Sequence, residues 1–194
     1  GQSGYRCSDG GAGLHYRSPG DVLNMEESVL KGKAITIGDD VSTDDIIPGR
    51  FAHLRSNLPE LATHALEDRL PGFYGKVQQG DVLVGGRNFG LGSSREHAPV
   101  VIRMAGISAI LVQSVARIFY RNAINQGLAV LICDTSGIRD GDQLEIRLND
   151  GIVLNHRTGE ELSCGRMPPL MSKILAAGGL ISYIREHGTL DSDA

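Results

Sequence analysis

The 194-residue chain is long enough for one domain of ordinary size, and 41% hydrophobic residues can bury a real core. A net charge of −4 gives no electrostatic case for nucleic acid or an anionic membrane, and no apolar run is long enough to span a bilayer. Cys7, Cys133 and Cys164 are odd in number, widely spaced and match no zinc or iron–sulfur spacing, which points away from a disulfide scaffold and towards a reducing cytoplasm.

Residues 1–24 are rich in Gly and Ser and have no hydrophobic period. They read as a disordered arm or added upstream sequence before a domain spanning 25–194, and their start lacks the pattern of a signal peptide. A first strand is expected over 33–37, followed by a polar loop over 38–48. Helical periodicity runs over 58–66 with Asn57 as N-cap, and 70–80 is a turn-rich connection. A strand at 81–85 leads to the stretch NFGLGSSREHA at 88–98, then to a helix over 100–105 that ends at Gly106. Residues 108–112 form a continuous apolar run typical of a buried parallel strand. A helix over 115–125 stops at Gly127, and 128–132 is another buried strand. This succession implies right-handed parallel crossovers. Residues 144–148 alternate, Asn149-Asp150-Gly151 makes a turn and 152–154 returns, which is a hairpin. Helices over 170–177 and 180–187 close the chain. The fold class is therefore α/β, a mixed sheet with parallel β-α-β units plus a β-hairpin.

The stretch at 88–98 places hydroxyls and a fixed cation on a Gly-rich turn between a strand and a helix, a combination suited to anions. Ser93 and Glu96 fit a capping box, whereas Pro99 prefers the first helical turn, so two helix starts compete. The motif is GxGSSR rather than GxSxG, which argues against a serine hydrolase. A serine acting as a base would need cations or amides that favour its charged form, and Arg95 can supply one or grip a carboxylate in a bidentate fork. The loop at 39–45 holds four carboxylates but lacks the glycine and terminal glutamate of an EF-hand. Turn-making and orientation of arginines in a site stand as equal readings of it. Arg117, Arg121 and Asn125 repeat at i, i+4 and i+8, a polar helix face for solvent or a subunit contact.

Three segments together, GDDVSTDDIIPGR at 38–50, GRNFGLGSSREHAP at 86–99 and ARIFYRNAIN at 116–125, resemble the swivelling domain of the aconitase superfamily. The likeness runs from about residue 33 to 187. Within that superfamily it is nearest to the separate small subunits of 3-isopropylmalate dehydratase and homoaconitase. The resemblance implies a swivelling β/β/α fold and a hydro-lyase reaction, reversible dehydration and rehydration that moves a hydroxyl between adjacent carbons of a hydroxy-acid. It implies a large-subunit partner carrying a [4Fe–4S] cluster, with no cofactor on this chain, no nucleic acid and no membrane. Carried over residue by residue, Ser93 is the alkoxide base, Ser94 and Arg95 hold substrate carboxylate, and Asp44 is the active-site aspartate of the first loop. Glu96 and His97 support the turn.

Arg55, in HLRSN at 53–57, corresponds to an arginine that binds a carboxylate in aconitase. An arginine there would face an isopropyl group without a partner. The choice nevertheless falls on 3-isopropylmalate, with a tricarboxylate such as homoaconitate or aconitate as the rival. A non-catalytic anion-binding module is the alternative of a different class. Ser93 and Arg95 together favour catalysis over it.

Overall fold

The computed structural model describes residues 29–93 and 95–188. The arm expected at 1–24, Cys7 and Ser94 lie outside the described residues. One seven-stranded sheet organises the chain in the order β4-β3-β2-β1-β5-β6-β7. Its first strand, β1 (Val29–Gly38), serves both halves. Residues 34–38 pair in parallel with β2 (Val82–Gly85), and residues 29–33 pair antiparallel with β5 (Gln143–Arg147). The parallel half continues through β3 (Ala109–Val112) and β4 (Ala129–Ile132), and the antiparallel half through β6 (Ile152–Asn155) and β7 (Glu160–Ser163). The expected β-α-β units and the hairpin are both present.

β2 and β3 are buried throughout, as expected of parallel strands covered on both faces. With a side-chain period of two, Leu83, Ile110 and Val130 enter one core, while Val82, Val84 and Leu111 enter the other. The first core is closed by α2 (Leu58–Thr63), α3 (Phe73–Lys76) and α4 (His97–Met104). The second is closed by α6 (Pro169–Ala176) and α7 (Leu180–His187), with Ile174, Leu175 and Tyr183 packed on the sheet. Each fully buried Leu, Ile or Phe contributes about 1.5–3 kcal/mol by leaving water.

Several boundaries differ from the expectations. The polar loop contains a helical turn, α1 (Thr43–Ile46), capped by Ser42 and anchored by buried Ile46 and Ile47. A 3-10 helix, Gly49–Ser56, follows it. Asn57 does cap α2, accepting from the Glu60 amide at 3.4 Å, but the helix ends early, at Thr63, and Leu66 in the turn that follows adopts a left-handed φ of 56°. The strand β7 was not expected: its residues Glu160 and Glu161 are exposed and it lies at the sheet edge, so no apolar alternation marks it.

An ion pair between buried Asp142 and exposed Arg157 braces the start of β5. Asp142, 5% exposed, receives Arg157 Nε at 2.5 Å, the Arg139 amide at 2.9 Å and Asn155 Nδ2 at 2.8 Å. Arg157 above all, then the Arg139 amide and Asn155, outweigh burial and hold its carboxyl well below the usual carboxylate range. A depressed folded pKa stabilises above the unfolded value and loses that contribution as pH falls. Acid should therefore erode stability progressively below the ordinary carboxylate value of 3.8. Asp142→Asn is expected to lower stability at pH 7 by about 2 kcal/mol and to flatten that acid dependence, measured by urea denaturation from pH 7 to 3.

Candidate active site

Loops after β1, β2 and β3 meet at the carboxyl ends of the parallel strands, where open α/β sheets place ligands. Beyond Gly85 the ladder continues from loop to loop. The Gly90 amide donates to Val41 O at 2.6 Å and the Thr43 amide to Leu91 O at 2.7 Å. On the other side the Phe89 amide donates to Ser114 O at 3.0 Å and the Ala116 amide to Phe89 O at 2.8 Å. The Gly-rich loop is thus held from both flanks before it reaches Ser93.

The four carboxylates of the first loop divide by role. Asp39 Oδ1 accepts the Arg87 amide at 2.7 Å, and Asp40 Oδ1 accepts Asn88 Nδ2 at 2.8 Å. A Cβ on Gly86 would lie 1.8 Å from Asp39 Oδ1, so this joint requires glycine. Asp45 forms a capping box with Ser42, accepting its amide at 2.7 Å while Ser42 Oγ accepts the Asp45 amide at 3.0 Å. Asp44 instead forms an ion pair with Arg95 Nη2. Both readings of this acidic loop therefore hold, for different residues.

Arg95 is held at both terminal nitrogens: Nη2 pairs with Asp44, and Nη1 donates to Ile47 O at 2.8 Å. An exposed ion pair adds little stability, so its consequence is direction. Ser93 is exposed, and its carbonyl accepts both the Arg95 amide at 2.7 Å and Thr43 Oγ1 at 3.2 Å. Ser93 and Arg95 share a cavity of about 330 Å3 with Thr43 and with Arg117, Ile118 and Asn122 of α5 (Arg117–Asn125).

One expectation needs correction. The helix α4 starts at His97 with Glu96 at its N-cap and no side-chain cap bond, so Ser93 and Glu96 form no capping box; Pro99 does sit in the first turn. Ser93 is therefore not at the end of α4, and the helix whose first residues line the cavity is α5. Glu96 and His97 line a separate groove with Arg103 and Arg185. Arg55 is exposed on the 3-10 helix and is not among the residues lining the Ser93 cavity. Arg117 and Asn122 also line the cavity, although the motifs do not single them out as candidate site residues. Their signal was the placement of α5 just after β3, at the ligand edge of the sheet.

Among the described residues, no three His, Cys, Asp or Glu side chains are grouped so as to hold a metal ion. Cys133 and Cys164 are buried free thiols. The neighbouring Cys164, together with burial, pushes the Cys133 thiol far above its usual range. The described residues thus offer no ligand set for a [4Fe–4S] cluster.

Comparison with known proteins agrees with this geometry. Residues 62–135 match the aconitase C-terminal domain family. A 3-isopropylmalate dehydratase small subunit of Archaeoglobus fulgidus is 55% identical over 161 residues, 83% of this chain and 98% of that one. One from Thermotoga maritima is 49% identical over 162 residues, again 83% and 98%. The crystal structure of a 3-isopropylmalate dehydratase from Methanocaldococcus jannaschii superposes with a TM-score of 0.79 at 44% identity, covering 82% of this chain and 95% of that one. With such identity over nearly the whole length of these relatives, and with the aconitase-type loops built as described, the chain belongs to the family of 3-isopropylmalate dehydratase small subunits.

Proposed function

We propose that the chain is the small subunit of a 3-isopropylmalate dehydratase, a hydro-lyase of leucine biosynthesis that works only with a large subunit. The observation that carries the proposal is the pairing of an exposed Ser93 with an Arg95 already aimed by Asp44 and the Ile47 carbonyl, in one cavity. In this reading Ser93 Oγ, as alkoxide, takes the proton from a substrate carbon, the C–H electron pair forms a C=C bond, and the neighbouring carbon releases its hydroxyl as hydroxide, which the large subunit would hold. Hydration in the opposite sense then returns a proton from Ser93 and completes the hydroxyl shift. Arg95 favours the charged serine and grips a substrate carboxylate, a role the family resemblance extends to Ser94. Asp44 orients Arg95. The superfamily's [4Fe–4S] cluster is assigned to the large subunit, and no step here is routed through it. A cytoplasmic setting belongs to the same proposal and suits the free thiols of Cys133 and Cys164.

Co-expression with the large subunit of the same genome should restore leucine-independent growth to a host lacking its own dehydratase. Continued leucine requirement with both subunits stably produced would contradict the proposal. A second reading, a tricarboxylate substrate, rests on Arg55, which stands exposed on the 3-10 helix. If Arg55 reads a third carboxylate, Arg55→Val lowers homoaconitate turnover about 100-fold relative to 3-isopropylmalate turnover. Steady-state assays of both substrates check this, and an unchanged ratio removes Arg55 from substrate choice.

A further inference from the structure

Resting on the dehydratase reading, we infer that Arg117 is a second carboxylate-binding residue of the Ser93 cavity. A malate-type substrate carries carboxylates on both carbons that exchange the hydroxyl, so holding it in register calls for two cationic contacts. The cavity offers two guanidinium groups. Arg95 is already committed to Asp44 and to the Ile47 carbonyl. Arg117 comes from another wall, is exposed, and has no acidic partner among the described residues. It is the uncompensated charge of the cavity, and its planar fork suits a carboxylate bidentately.

Its position is fixed relative to the serine loop. The Ala116 amide, next to Arg117, donates to Phe89 O at 2.8 Å, and Phe89 forms a parallel bridge with Val115. The start of α5 and the loop bearing Ser93 are therefore one backbone unit. Next to Arg117 the lining is apolar, with Ile118 54% exposed and Phe119 forming the floor. A cation beside an exposed aliphatic side chain matches a carboxylate next to an alkyl branch. The competing account gives Arg117 to the polar helix face with Arg121, where it would contact the large subunit rather than substrate.

The test uses the full 15N-labelled chain titrated with L-malate, against potassium chloride at matched ionic strength. Saturable shifts are expected at the amides of Gly92, Ser93, Arg117 and Ile118. Arg117→Gln should weaken binding about ten- to hundredfold, the loss of one charge-assisted contact, with Arg117→Lys in between and Arg121→Gln unchanged. In the assembled enzyme Arg117→Gln should raise KM by the same factor with kcat within threefold. The inference is overturned by absence of malate binding to the wild-type chain, by equal binding to Arg117→Gln, or by an unchanged KM with weakened subunit affinity. Malate binding through Arg117 in a wild-type assembly without turnover would count against the dehydratase reading alone.

Discussion

Ser93→Ala is expected to lower kcat of the assembled enzyme by roughly 10²–10⁴-fold, the range for removal of a positioned base. The loop should survive the change. What Ser93 gives the fold is its backbone carbonyl, which accepts from the Arg95 amide and from Thr43 Oγ1, and alanine keeps that carbonyl. The side chain is exposed on the cavity wall, so stability should move by no more than about 0.5 kcal/mol. Steady-state kinetics, paired with a subunit-binding assay and a thermal melt, separate the two effects. A loss of kcat with intact assembly identifies the base, whereas kcat within threefold of wild type removes Ser93 from proton transfer.

Gly90→Ala should act through the fold. Gly90 has φ +77°, a left-handed conformation that costs an alanine about 1–2 kcal/mol. Its added Cβ would also lie 2.4 Å from Phe119 Cγ and 2.5 Å from Phe119 Cβ. Phe119 is 2% exposed and meets Phe89 edge-on at 5.3 Å, so the ring has no open space to take. Relieving the clash means moving α5 away from the serine loop, which opens the cavity. Together the effects should destabilise by about 3 kcal/mol and lower Tm by roughly 6–12 °C. Gly49→Ala is the control, because nothing lies within 4 Å of the new methyl group. Calorimetry that finds equal Tm for the two variants would refute the packing argument.

The parts of the fold legible in the sequence are those with strong local signals. Continuous apolar runs marked β2, β3 and β4, Gly127 marked the end of α5, and Asn149-Asp150-Gly151 marked the hairpin turn. Elements set by long-range pairing were not legible. The first four residues of β1 are a strand because β5 pairs with them, and β7 is a strand because β6 does. The site was half legible for the same reason. Ser93 and Arg95 stand in one motif, but the direction of Arg95 depends on Asp44 and Ile47, about fifty residues away, and Arg117 joins them only through the sheet. The capping-box reading of Ser93 failed because its loop is held instead by Thr43 and by the neighbouring loops.

The proposed function has this chain complete an active site with an iron–sulfur partner and supply its base. It is tested most directly by titrating the purified chain into a fixed amount of its large subunit, loaded with cluster under anaerobic conditions, and following 3-isopropylmalate turnover. Turnover should be absent from either subunit alone, rise with added wild-type chain to saturation, and stay near background when Ser93→Ala saturates the same partner. Saturating assembly without turnover by the wild-type chain, or equal turnover by both chains, would contradict it.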